Sequence, residues 1–298
     1  MLYTLPLIRS RVRSDFQQES STGFLADSEI DAWANEGTYK YVSRLMMANQ
    51  GYFETTASLD IVSGQEAVSL PYNFTGSTSL LKMVRVERVI EGARVPLTYR
   101  KRFDESNTTT ASVSGIAYMP TYDFRGSNLI LEPTPNFSET GGIRIVYAGL
   151  PPKLLGGTAV TGGATSITLD STADPRDDYY NGAKIMITSG TGAGQIRTIS
   201  DYVGSTQVAT VSVAWGTNPT SSSVFSTLIH DDFPEIFHEL IPLYASKMAF
   251  IKERSMGSAR AYDLETLKEK ERELNDFCAD KTIARQFVQA FHPEIWPC

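Results

Sequence analysis

An α+β fold, with helices at both ends of the chain bracketing two stretches of β-structure, is predicted by three features of the sequence. Apolar residues recur every three or four positions near the two chain ends, the mark of helices with one buried face. Between residue 51 and about residue 147 the period falls to two, which is the strand repeat. Residues 158–227 are then dominated by Ser, Thr, Gly and Val, a composition that favours short strands and turns. The expected organisation is a helical bundle built from the N- and C-terminal helices (1–50 and 229–281). Inserted into it are a β-sandwich or barrel region (51–152) and a second small all-β module (153–228), and a C-terminal docking tail (282–298) follows. A chain of 298 residues is long enough for such a division, since single cores stop growing near ~250–300 residues.

The first helix is read from Leu5, Ile8, Val12 and Phe16 behind Thr4 as N-cap, with Pro6 tolerated in the first turn. A longer helix follows from Asp27 as cap to about Ala48. Ile30, Trp33, Ala34, Gly37, Tyr41, Val42, Leu45 and Met46 form its apolar stripe, and Asn49-Gln50-Gly51 is its stop signal. Strands are expected at Phe53–Leu59, Glu66–Leu70, Leu80–Val89, Arg94–Tyr99, Ala117–Asp123, Asn128–Glu132 and Gly142–Tyr147, with turns at Glu91-Gly92 and Arg125-Gly126. Pro151-Pro152 and Gly156-Gly157 mark the next boundary. Beyond it come strands at Ser166–Leu169, Lys184–Thr188, Gln195–Tyr202, Gln207–Val211 and Val224–Thr227, with Asn181-Gly182 as a tight turn. Asp232 and Pro234 open a helix through Leu240, Tyr244 and Ile251, kinked at Pro242, and Gly257 separates it from a last helix through Leu267, Leu274 and Phe277.

Composition narrows the function. A formal net charge of −7 argues against a protein that grips phosphates over its whole surface. Two cysteines, Cys278 and Cys298, are too few for a disulfide framework and favour a reducing compartment. No window approaches about 18 consecutive apolar residues, so no membrane span is expected.

No catalytic, cofactor or metal site is expected. Gly190-Thr191-Gly192-Ala193-Gly194 resembles a phosphate loop in composition, but Gln195–Ile199 after it reads as a strand, where a phosphate loop must open a helix. His230, Asp231, Asp232, His238 and Glu239 lack a zinc spacing. Asp174, Asp177 and Asp178 lack the alternation and closing Glu of a calcium loop. Around Lys82–Arg102 seven bases meet Glu87 and Glu91, either a solvated strand face or a docking patch.

Two segments point instead to assembly. Ile283, Phe287 and Phe291 recur at a spacing of four, and Ile295 and Trp296 follow the stop at His292-Pro293. This terminal arm is expected to seek a partner groove, because one such tail binds weakly and gains from many copies acting together. In the last helix Glu265, Glu269, Glu273 and Asp276 fall on one side. From Ile229 to Asp280 twelve acids face seven bases.

Tyr122–Pro135, followed by Ile143–Pro152, resembles the β-region of tailed-phage head–tail adaptor proteins, and so does the start at Phe24–Asp31 leading into Trp33–Glu36. Asp178–Ala183 through Gly190–Ile199 and Asp201–Gly204 is similar to a β-insert of assorted phage virion proteins. The resemblance implies a virion protein at the head–tail junction, made in the host cytoplasm, without catalytic residues. It further implies a homo-oligomeric ring, a dodecamer by the family pattern, lying beneath the portal protein and above a downstream tail or nozzle protein. DNA would pass through its central channel without tight binding, and no membrane is involved. In that frame Ile283, Phe287, Phe291, Ile295 and Trp296 dock on the portal, and Glu265, Glu269, Glu273 and Asp276 face the channel. The alternative is a tail or receptor-binding virion component whose 158–227 module binds glycan, which calls for exposed aromatics there; Trp215 is the module's one tryptophan.

Overall fold

The computed structural model describes residues 3–16, 24–48, 50–70, 80–100, 121–126, 128–253 and 264–279. The chain divides into two compact units, Met1–Asn49 with Pro151–Cys298, and Gln50–Leu150. The fold is α+β, with helices and antiparallel sheets.

In the first unit α1 runs Leu5–Asp15, capped by Thr4, whose Oγ accepts from the Leu7 N–H at 3.4 Å, with Pro6 in the first turn. Its Leu5, Ile8 and Val12 are buried, each worth roughly 1.5–3 kcal/mol. The second helix, α2, spans Asp27–Ala48. Asp27 does not cap it. The Ala26 carbonyl accepts from the N–H groups of Glu29 and Ile30, and the Ala26 N–H donates to Glu29 Oε2 at 3.2 Å, one half of a capping box. The Asp27 carboxylate is engaged instead by Arg9 and Arg13 of α1. Trp33, expected in the apolar stripe, is only half-buried.

The expected helix at Asp232 begins later. His230 to Phe233 closes a turn, Glu235–Phe237 is a single 3₁₀ turn, and α3 spans Leu240–Glu253. Starting there puts Pro242 in the first turn, where its missing N–H has no intrahelical partner to lose, so the expected kink has no cause. α3 buries Leu240, Ile241, Leu243, Ala245, Ala249 and Phe250, among others, and packs on α1 and α2. At Gly37 of α2 the chains come so close that an added Cβ would lie 2.9 Å from Tyr244 Cδ1. The last helix, α4, covers 264–279, with Leu267, Leu274 and Cys278 buried.

The same unit holds a sheet in the order β8-β14-β11-β12-β13-β10-β9: Gly156–Thr158 (β8), Thr161–Gly162 (β9), Ser166–Thr168 (β10), Lys184–Ser189 (β11), Ile196–Val203 (β12), Val208–Val211 (β13) and Val224–Thr227 (β14). β8 and β9 are absent from the sequence expectation because a Gly-rich run carries no strand signal. They are successive pieces of one bent stretch: Ala159 donates to the Ser223 carbonyl and Val160 to the Thr168 carbonyl. The two ends of the sheet are thus successive parts of one segment, which closes a small barrel. Gly162 is needed there, since a Cβ would lie 2.7 Å from the Pro219 carbonyl oxygen. Ile167, Leu169, Ile185, Ile187, Ile199, Tyr202, Val211, Trp215 and Phe225 fill the interior.

The barrel is tied to the helices. The Leu5 N–H donates to Ser226 Oγ at 3.1 Å. Asn35 brackets Leu154, accepting its N–H at 2.6 Å and donating to its carbonyl at 3.1 Å.

The second unit carries two antiparallel sheets. Gln50–Ile61 (β1), Glu139–Gly149 (β7), Leu80–Ile90 (β3) and Ala93–Pro96 (β4) form one in that order, and Ala67–Ser69 (β2), Asn128–Glu132 (β6) and Thr121–Arg125 (β5) form the other. Leu59, Ile61, Val86, Ile143 and Ile145 from the first share a core with Leu129 and Leu131 from the second, a sandwich arrangement. Of the expected strand Ala117–Asp123, residues 117–120 lie outside the described residues. Glu91 and Gly92, both at positive φ, make the β3–β4 turn of the kind that fits strand twist.

Candidate assembly surfaces

The expected portal-docking residues Ile283, Phe287, Phe291, Ile295 and Trp296 lie outside the described residues. The expected channel-facing residues Glu265, Glu269, Glu273 and Asp276 are all on α4, and all are exposed. At about 100° per residue they fall within an arc of about 80°, and Leu267, Leu274 and Cys278 cluster about 180–220° from Glu265. The carboxylates therefore stand on the opposite side of α4 from its packed seam. Two of them are partly compensated: Lys270 Nζ lies 2.8 Å from Glu273, and Arg272 Nε 3.9 Å from Asp276. Exposed pairs of this kind contribute little energy, about 0–1 kcal/mol, but they reduce the negative field of the stripe.

Glu271 belongs to the other side of the helix, and the acidic spacing does not single it out. Its carboxylate accepts from Lys40 Nζ and from the Tyr41 hydroxyl of α2, each at 2.8 Å. The Lys40 ammonium also sits 5.1 Å from the Tyr41 ring centre and 4.9 Å from that of Tyr244, close enough for cation–π attraction. The Tyr244 hydroxyl donates to Glu36 at 2.7 Å. Burial alone would raise the Glu271 pKa, but the hydrogen bonds from Lys40 and Tyr41 outweigh it and hold the carboxyl below its ordinary range. Burial, followed by the bond to Glu271, pushes the Tyr41 hydroxyl well up. This network joins α2, α3 and α4. The signal for it in the sequence is the phase of Leu267, Leu274 and Cys278, which puts position 271 beside the seam and away from the other acids.

The basic residues of α1 are internal ties. Arg9 binds Asp31 with Nε at 2.7 Å and Nη2 at 2.5 Å, Arg13 binds Asp27, and Arg11 lies 3.5 Å from Glu239. In the second unit Glu87 is buried between Arg85 at 2.8 Å and Arg144 at 2.7 Å, and Arg88 pairs with Glu139. The Lys82–Arg102 charge excess is thus partly consumed inside the sheet; its residues 101 and 102 lie outside the described residues.

The polar clusters of the sequence have structural employment. His238 is buried, stacked on Phe233 at 5.6 Å, with Nε2 2.9 Å from the Phe233 carbonyl. Burial lowers its pKa. Asp231 pairs with Lys184 at 2.6 Å. Asp174 binds Arg176, whose hydrogen bonds override burial and lower its pKa. Asp177 accepts from the Gly204 N–H, and Asp178 from Asn181 Nδ2. Among the described residues no group of three or more His, Cys, Asp or Glu side chains is placed to hold a metal ion, and no helix is long and apolar enough to cross a membrane.

At one end of the barrel Gly190–Gly194 is a hairpin loop between β11 and β12. Gln195 pins it: Nε2 donates to the carbonyls of Gly192 and Thr217 at 3.0 and 2.9 Å, and Oε1 accepts from the Gly216 N–H at 2.6 Å. Trp215 is buried in the barrel core, 5% exposed, with the Arg197 guanidinium 5.5 Å from its ring centre. It offers no open face for a sugar. The exposed large apolar side chains among the barrel's described residues are Val160, Val203 and Val213, all aliphatic.

Residues 4–187 match the family model of the SU10 adaptor protein. No curated protein matches the chain. The matched span takes in α1, α2, both sheets of the second unit and the barrel as far as β11, well over half of the chain, and the chain therefore belongs to the SU10 adaptor family of phage structural proteins.

Proposed function

We propose that this chain is a head–tail adaptor that forms a ring of like subunits, a dodecamer, beneath the portal protein of a tailed phage. A downstream tail or nozzle protein attaches below it, and DNA passes through its channel without being held. The helices of residues 1–50 and 229–281 act as the bundle that builds the ring, with 51–152 and 153–228 as its β-domains. The observation that carries this reading beyond family membership is the polarity of α4. One side is fastened to α2 through Glu271 and buries Leu267 and Leu274, and the opposite side presents Glu265, Glu269, Glu273 and Asp276 to solvent. A negative wall repels a polyanion and lets it slide, whereas a wall of Lys and Arg would release counterions and hold it.

The segment that follows α4 is assigned the docking role. Ile283, Phe287, Phe291, Ile295 and Trp296 supply aromatic and aliphatic anchors of the type that dominates interfaces, and ring multiplicity converts weak single tails into firm attachment. Deleting residues 282–298 tests it. The truncated protein is expected to unfold at the temperature of the full chain and to lose attachment to portal-bearing heads. Attachment that survives the deletion would remove the docking role, and loss of cooperative unfolding would make the segment part of the core instead.

A further inference from the structure

The four-stranded sheet of the second unit has two unlike edges. β1 is an edge strand of 12 residues, and among the described residues no strand pairs with its outer side. It contains Glu54 and Asp60 and no base. β4, at the other edge, is four residues long, ends at Pro96 and carries Arg94. Natural sheets guard their edges with short strands, prolines and charges; β4 has all three, whereas β1 is long, lacks proline and is charged only at Glu54 and Asp60.

The charges on the two edges complement each other. Ser58 lies opposite Arg144, Arg144 opposite Glu87, and Glu87 opposite Pro96, so these four share a face of the sheet. By the strand period of two, Glu54 and Arg94 lie on that same face. Both are exposed, and among the described residues neither has an ion-pair partner. The positive character toward β4 is reinforced by Arg85, 52% exposed, which shares Glu87 with Arg144; Glu91 sits away from it in the hairpin turn. Asp60 stands at the bulge near the far end of β1, with one carboxylate oxygen on the Gly141 N–H.

Self-pairing of β1 is disfavoured by the same charges. An antiparallel pair of two β1 strands centred on Ala57 would set Glu54 opposite Asp60, and like charges directly opposite destabilise a sheet. A β4 edge set against a β1 edge brings Arg94 to Glu54. Such a contact is head-to-tail, using different patches on the two molecules, and repetition of a head-to-tail contact closes a ring when the rotation allows.

We infer that like subunits meet through this sheet, the acidic β1 edge of one copy against the Arg94 edge of the next. The inference rests on the ring reading and adds to the helical bundle a second contact between neighbouring subunits. Its test is charge exchange in the full chain. Glu54→Arg and Arg94→Glu, both at exposed positions, are expected to fold as the wild type does by circular dichroism. In sedimentation velocity each alone should need about tenfold more protein than the wild type for half-assembly, because an attraction becomes a repulsion at every contact. An equimolar mixture of the two should assemble near the wild-type concentration. In alternating order, the reversed β1 edge of one variant meets the reversed β4 edge of the other, and the unaltered Glu54 and Arg94 meet at the next contact. Single variants that assemble like the wild type, or a mixture no better than its components, would overturn the inference while leaving the ring intact. A wild-type chain that stays monomeric throughout would overturn the ring reading itself, and the inference with it.

Discussion

Replacing Glu271 by Gln should loosen α4 in a way that depends on pH. The carboxylate accepts from Lys40 and Tyr41 at 2.8 Å each, and its side chain is 22% exposed. Hydrogen bonds to charged groups contribute about 1.5–3 kcal/mol each when well protected, but Lys40 is 33% exposed, and solvent screening reduces its share to about 0–1 kcal/mol. Glutamine keeps an acceptor for the tyrosine hydroxyl and loses the charge, so the expected cost at neutral pH is about 1–2 kcal/mol. Alanine also strands the Tyr41 hydroxyl and should cost about 2–3 kcal/mol. The Glu271 pKa is lowered in the folded chain, so its contribution is complete above the ordinary carboxyl value. It fades as pH falls through the lowered one, because the proton that the unfolded chain takes up is resisted by the fold. Urea unfolding of wild type and Glu271→Gln at neutral pH and at about pH 3 measures the gap, which should shrink in acid. Hydrogen exchange at 264–279 should rise in the variant at neutral pH. An equal midpoint for the two proteins at neutral pH, or a gap that persists undiminished in acid, would refute the assignment of Glu271 as the tie between α4 and α2.

Gly37→Ala sets two effects against each other. Helix propensity favours Ala by about 1 kcal/mol, but the new Cβ would stand 2.9 Å from the Tyr244 ring, which its hydroxyl bond to Glu36 holds in place, and overpacking costs about 1–3 kcal/mol. A lowered thermal midpoint is expected, with a smaller loss in the Tyr244→Phe background. Asn35→Ala strands the Leu154 N–H and carbonyl and should cost about 2 kcal/mol in denaturant unfolding, with hydrogen exchange rising in both α2 and the barrel; a rise confined to α2 would show the barrel to be independent. The purified chain should bind duplex DNA weakly, with a shallow dependence on salt. Submicromolar binding that falls steeply with salt in a filter or fluorescence assay would contradict the conduit reading.

The parts of the fold legible in the sequence are those whose signal is local. Thr4 and Pro6 announce α1 because a cap hydroxyl and a ring-fixed φ act within one turn, and Glu91-Gly92 announces the β3–β4 turn because Gly92 takes positive φ without steric cost. Features that depend on distant partners are not legible in this way. Asp27 has the chemistry of a cap, yet Arg9 and Arg13 from another helix engage its carboxylate, and the backbone of Ala26 serves in its place. Pro242 reads as a kink only if the helix begins at Asp232; beginning at Leu240, it is an ordinary first-turn proline. β8 and β9 are strands because β14 and β10 offer them partners across the barrel, and nothing in a run of glycines foretells that. The acidic side of α4 is legible from its spacing of four, but its opposite, the tie at Glu271, requires knowing that Lys40 and Tyr41 face it across more than 200 residues of chain.

Copies of this chain, on the function we propose, close into a ring with an open axis under the portal. Electron-microscopy class averages of the purified protein, alone and mixed with its portal, test it most directly. Rotationally symmetric rings with a central hole are expected, stacked coaxially on the portal in the mixture, with 264–279 at the inner wall. Monomers or trimers without an axial opening, or rings that bind the portal off axis, would contradict it.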